Sequence, residues 1–141
     1  MTPAVFVVDT NVVVSALITS DATSPTAKIL DAMLEGGLLY LMSEDLITEY
    51  ATVLRRPALM ELHGLSEPEI DGLLTEITAN AIWREPAAGG GAPDARDNHL
   101  WALLASHAGS RLVTGDRLLV DNPPAGTRVL TPRDLAGRER R

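Results

Sequence analysis

The chain has 141 residues, a formal net charge of −7 and no cysteine. That length suits a single domain over residues 1–141, and the missing thiols exclude a disulfide framework, a cysteine nucleophile and cysteine zinc sites. The charge excludes a basic nucleic-acid coat protein, so any role on nucleic acid must come from a localised site.

Area scaling lets a chain of this size bury roughly two thirds of its unfolded surface, enough for a core without staples. The apolar runs fall far short of the ~20 residues that span a bilayer. No basic stretch precedes the first of them, so it does not read as a signal peptide. A cytoplasmic globular protein without a membrane partner is expected.

Residues 4–8 are continuously apolar, as in a strand covered on both faces. Residues 12–18 are ambiguous: three valines favour strand, whereas Ala16 and Leu17 tolerate helix. Ser24-Pro25 predicts a helix start, Ile29, Leu30, Met33 and Leu34 give its apolar face, and Gly36-Gly37 stop it. Leu38–Met42 predicts a second strand. Ser43 caps the next helix, with Glu44 and Asp45 in its first turn, and the helical pattern continues to Pro57. A short helix follows at 58–62. Ser66 and Glu69 form a capping box that opens a helix to about residue 79. Residues 86–96, rich in Gly and Pro, read as a loop. A helix is predicted from about Asp97 to His107, then a third strand at 112–114, a fourth at 128–130 and a last helical turn or two at 132–136.

Strands alternating with helices predict an α/β fold with a mainly parallel sheet, whose sites form beyond the carboxyl ends of the strands. Asp9 directly follows the first strand and Asp116 closely follows the third. Glu49 lies about a turn and a half into the helix after the second strand. Asp97 opens the helix before the third. Clustered carboxylates repel one another, and oxygen-only ligands suit a hard divalent cation, Mg²⁺ or Mn²⁺. The matching chemistry is metal-assisted phosphodiester hydrolysis. Taken singly, each acid has a plainer reading: Asp9 as an Asx turn or cap, Glu49 as a solvated helix residue, Asp94 or Asp97 as a cap, Asp116 as a turn residue. Trp83 and Trp101 are expected in packing. His63, His99 and His107 are expected to be structural or exposed rather than ligands.

Val8-Asp9-Thr10-Asn11 with the following Val-Val-Val-Ser-Ala-Leu resembles the opening motif of PIN-domain ribonucleases. Glu49 and the Leu54-Arg55-Arg56-Pro57 element resemble the second acidic motif, Asp94–Asn98 the third, and Leu112–Leu119 the fourth. Leu54–Pro57 and Thr131–Leu135 look like the VapC-like branch, the toxins of toxin–antitoxin pairs. The resemblance implies a three-layer α/β/α fold with a helix at 11–18. It also implies Asp9, Glu49, Asp97 and Asp116 as catalytic and metal-binding residues, with Mg²⁺ or Mn²⁺ as cofactor. Asn11 and Thr114 become expected substrate-binding positions. Arg96 and Arg117 neighbour two of the ligands and become expected phosphate contacts. The third motif departs from the family pattern: Arg96 stands where a second acid is common.

The implied function is an endoribonuclease acting on RNA, neutralised by a small antitoxin protein and forming a homodimer. Two other classes compete. A non-catalytic PIN-like RNA- or protein-binding domain would not need all four acids. A phosphoaspartyl receiver or phosphatase would need a well-placed lysine, and the only lysine is Lys28.

Overall fold

The computed structural model describes residues 3–86 and 90–139. Strand β1 (Val5–Val8) is buried along its whole length, as its unbroken apolar run requires. It is the centre of a five-stranded sheet in the order β3-β2-β1-β4-β5, with every pairing parallel. The other strands are β2 (Leu39–Met42), β3 (Ile82–Trp83), β4 (Arg111–Val113) and β5 (Val129–Leu130). Helices flank the sheet, giving the predicted α/β/α layering.

The segment after β1 is helix α1 (Thr10–Ile18), capped by Asp9, whose carboxylate accepts from the Thr10 amide at 2.8 Å. Its valines cost at most about 0.7 kcal/mol each in helix propensity. Val12 and Val13 are each only 1% exposed, and burial of a valine returns about 1.5 kcal/mol or more. Packing therefore overrides the strand preference.

The other start and stop signals act where the sequence puts them. Ser24 caps α2 (Pro25–Glu35), and Gly36 ends it at φ 81°, a left-handed conformation that favours glycine. Ser43 caps α3 (Glu44–Leu54), and the Ser66–Glu69 capping box opens α5 (Glu67–Asn80). Between them lies α4 (Pro57–His63).

Several expectations are corrected. Strand β3 was not expected: two residues on a sheet edge give no periodic signal, and its pairing is extended only by the Arg84 amide on the Met42 carbonyl at 3.0 Å. A five-residue helix α7 (Arg117–Asp121) also stands where none was predicted. The predicted loop at 86–96 ends in a 3₁₀ turn over Ala95–Asp97, and residues 87–89 lie outside the described residues. Helix α6 is Asn98–Ala105, shorter than predicted at both ends, and α8 (Pro132–Glu139) is longer than predicted. Trp101 is in the core, but Trp83 is 46% exposed, its indole N–H donating to the Thr78 carbonyl at 3.1 Å. Among the described residues no helix is long and apolar enough to cross a membrane.

The strand order places the site. From β1 the chain winds to β2 and β3 on one side, then returns past β1 to β4 and β5 on the other. The carboxyl ends of β1 and β4 therefore flank the point where the winding reverses, which is where doubly wound sheets open a crevice. Val8 pairs in register with Val113, and the Asp9 amide donates to the Val113 carbonyl at 2.9 Å.

Candidate active site

Asp9, the first residue past β1, is 5% exposed. Its Oδ1 accepts from the Thr10 amide. Its Oδ2 accepts from the Thr114 hydroxyl at 2.8 Å and the Asn11 amide at 3.0 Å. Asn11 also donates to the Thr114 hydroxyl at 3.2 Å, and its Oδ1 accepts from the Gly115 amide at 2.9 Å. A side chain at 115 would press on Asn11: a Cβ there would stand 3.4 Å from Asn11 Oδ1. The same Thr114 oxygen accepts from the Asp116 amide at 3.0 Å. Thus the Asp-Thr-Asn and Thr-Gly-Asp segments form one network bridging β1 and β4.

Glu49 arrives from a third element. The buried Tyr50 hydroxyl donates to the Val8 carbonyl and docks α3 against the end of β1. Glu49, the preceding residue, thereby meets α1, and the Thr10 hydroxyl donates to its Oε1. Its Oε2 lies 3.0 Å from Nε2 of His99, the second residue of α6. Asp97 comes from a fourth element, the end of the 3₁₀ turn, and makes no cap hydrogen bond at the start of α6. Asp94 takes the capping role instead, accepting from the Arg96 amide at 2.9 Å and pairing with its guanidinium at 2.9 Å.

All four predicted acids line one cleft of about 460 Å³, together with Thr10, Asn11, Arg56, Asp94 and Arg96. The electrostatics show that they sense one another. Burial pushes the Asp9 carboxyl up to about 6, and the charges of Glu49 and Asp97 add to the rise against the hydrogen bonds of Thr114 and Thr10. Asp97 is also raised, first by partial burial and then by Asp94, Glu49 and Asp116. Glu49 is lowered, chiefly by its hydrogen bond from His99, and His99 is raised by the same bond.

Two expected substrate contacts are placed otherwise. Thr114 is fully buried, its hydroxyl is committed to Asp9, Asn11 and Asp116, and it does not line the cleft, so it braces the acids that do. Arg117 is exposed on α7 and does not line the cleft. Asn11 and Arg96 do line it, although Asn11 spends both ends of its amide on the network. Arg56 also lines it. As the residue before Pro57 it is extended (φ −63°, ψ 132°), whereas its neighbour Arg55 is tied to Glu67 and Asp71. Lys28, on α2, does not line the cleft, which removes the support a phosphoaspartyl site would need. Sequence reasoning missed Thr10, Arg56 and His99. The signals were adjacency to Asp9, the residue before a helix-opening proline, and a histidine two positions after Asp97.

The donor set fits a hard divalent cation. Every acid offers oxygen, and burial first, with repulsion from the neighbouring acids adding to it, raises Asp9 and Asp97, a cost that a cation would relieve. Among the described residues no three acids or histidines are already drawn into a closed cage.

The family model for the PIN domain matches residues 5–118, a span that contains all four acids. No curated protein and no solved structure matches the chain. PIN domains are generally nucleases and typically use divalent metal ions. With its sheet order, its acids at the carboxyl edge and a match over most of its length, the chain belongs to the PIN-domain family.

Proposed function

We propose that the protein is a Mg²⁺- or Mn²⁺-dependent endoribonuclease that hydrolyses RNA phosphodiester bonds. The observation that carries this reading is the convergence of Asp9, Glu49, Asp97 and Asp116, from four separate elements, on one open cleft. Asp9, Glu49, Asp97 and Asp116 would hold the cation between them. The bound cation would lower the pKa of a water and neutralise charge developing on the phosphate. Thr114 and Asn11 hold the Asp9 carboxylate in place, and Thr10 and His99 hold that of Glu49. Arg56 and Arg96 bring positive charge to a cleft otherwise lined by acids, so they are the candidate phosphate contacts. The overall charge of −7 repels RNA at long range, which makes these local cations matter more.

The Leu54–Pro57 and Thr131–Leu135 elements support a toxin neutralised by a small antitoxin; a homodimer acting in the cytoplasm is proposed with it, as the family resemblance implies. A small reading frame next to the gene, encoding a DNA-binding antitoxin, would support that assignment. The enzymatic reading is tested by incubating single-stranded RNA with the protein in Mg²⁺, in Mn²⁺ and in EDTA, beside Asp116→Asn as the control for contaminating nuclease. Cleavage should need the cation and fail in the variant. Full cleavage in EDTA, absent from the control, would reject the mechanism.

A further inference from the structure

Glu49 sits on a helix and has three rotatable side-chain bonds, so fixing its carboxylate costs rotamer entropy. The fold meets that cost with two donors from two other elements, one on each oxygen. Thr10 of α1 donates to Oε1, and His99 of α6 lies 3.0 Å from Oε2 through Nε2. A carboxylate only accepts, so His99 carries its proton on Nε2.

The other ring nitrogen shows what the histidine is for. Nδ1 is buried and finds no hydrogen-bond partner among the described residues, while the side chain is only 14% exposed. A buried polar atom without a partner costs stability. An apolar side chain of similar size would fill the same space without that cost. Among the described residues the sole polar contact the ring makes is to Glu49, so its chemical identity serves that contact rather than the packing of α6.

We infer that His99 is a positioning residue that, opposite Thr10, locks the Glu49 carboxylate toward the cleft and thereby sets how tightly a divalent cation is held. This rests on the cation-dependent reading above. Each Glu49 oxygen receives one donor and keeps a free lone pair, so the clamp orients the group without using up its capacity to bind. Groups that orient a metal-binding carboxylate or histidine typically change metal affinity about 10–100-fold when removed.

The test uses Mn²⁺ alone as the probe, titrated by calorimetry into the full chain, with melting curves in EDTA as the folding control. His99→Leu keeps the bulk and removes the donor. His99→Gln puts an amide N–H near the place of Nε2. Thr10→Val strips the opposite oxygen and gives a second, independent variant. The expected result is about a tenfold or larger loss of Mn²⁺ affinity in His99→Leu and in Thr10→Val. Most of it should return in His99→Gln, with melting temperatures in EDTA within a few degrees of the parent. Parental Mn²⁺ affinity in His99→Leu would overturn the inference. So would a loss that His99→Gln does not restore, or a parent that binds no Mn²⁺. RNA cleavage is scored separately: if the affinities behave as expected but the parent cleaves no RNA, the ribonuclease reading fails and the positioning role stands.

Discussion

The two sides of the acidic cleft are built differently. On the strand side, Asp9 is buried, accepts three hydrogen bonds and is tied through Thr114 to Asp116. On the loop side, Asp94 and Arg96 pair with each other in the open, the Arg96 side chain being 89% exposed, and Asp97 stands between the two environments. The strand side holds a carboxylate where the sheet dictates, at a standing electrostatic cost. The loop side contributes charge that can adjust to what enters. A ligand for a cation needs the first kind of support, and a contact for a long flexible substrate tolerates the second.

The largest expected effect comes from the rigid side. Asp9→Asn should reduce RNA cleavage by about 10³-fold, the scale of the several kcal/mol that a bound metal supplies. Asp94→Asn should keep most of the activity, because asparagine still caps the turn. Comparable losses in the two, measured as initial rates on one RNA, would erase the difference between the sides. Next comes Thr114→Val, which removes a buried hydroxyl serving three partners. A loss of about 1–3 kcal/mol is expected, seen as a drop of several degrees in melting temperature.

The pH dependence sharpens the same contrast. Burial and like charge raise Asp9 to about 6 from an ordinary value of 3.8. Below 3.8 the group is protonated in both the folded and unfolded states and costs nothing. As pH rises through the window between 3.8 and 6, the unfolded chain ionises first, and folded stability falls. Between pH 4 and pH 7, in EDTA, the parent should lose on the order of 2 kcal/mol relative to Asp9→Asn. Urea unfolding of both proteins at the two pH values checks this, and parallel curves would mean the Asp9 charge carries no such cost. Mn²⁺ should reverse the trend in the parent only.

The smallest effects belong to the rim. Arg56→Ala should weaken RNA binding and lower its salt slope by about one. Arg96→Ala should do less, since that guanidinium is already engaged by Asp94, and should leave the melting temperature unchanged. Fluorescence anisotropy across a salt series ranks the two.

What could be read from the residues follows the same division. Asp9 and Asp116 were legible because an apolar run that stops at an acid marks the end of a buried strand, and parallel strands place those ends together. Caps at Ser24, Ser43 and Ser66 were legible because their signals are local. The valine-rich helix α1 was not legible from propensity, since its helicity depends on burial against elements far along the chain. His99 and Thr10 were missed because their roles exist only where α6, α1 and α3 meet around Glu49. Arg117 was favoured for sitting next to Asp116, yet it is exposed at the start of α7 and does not line the cleft, whereas Arg56, the residue before α4, does. Strand β3 and helix α7 are too short to leave a periodic pattern.

The central claim is that acids from the rigid and the open sides meet on one cation, and that on the open side the partner is Asp97 rather than Asp94. Titration of Mn²⁺ followed by electron paramagnetic resonance, on the parent, Asp97→Asn and Asp94→Asn, addresses it most directly, because it reads the bound ion without any substrate. The account predicts that Asp97→Asn loses most of the binding and Asp94→Asn keeps it. Binding lost in Asp94→Asn and retained in Asp97→Asn would contradict it.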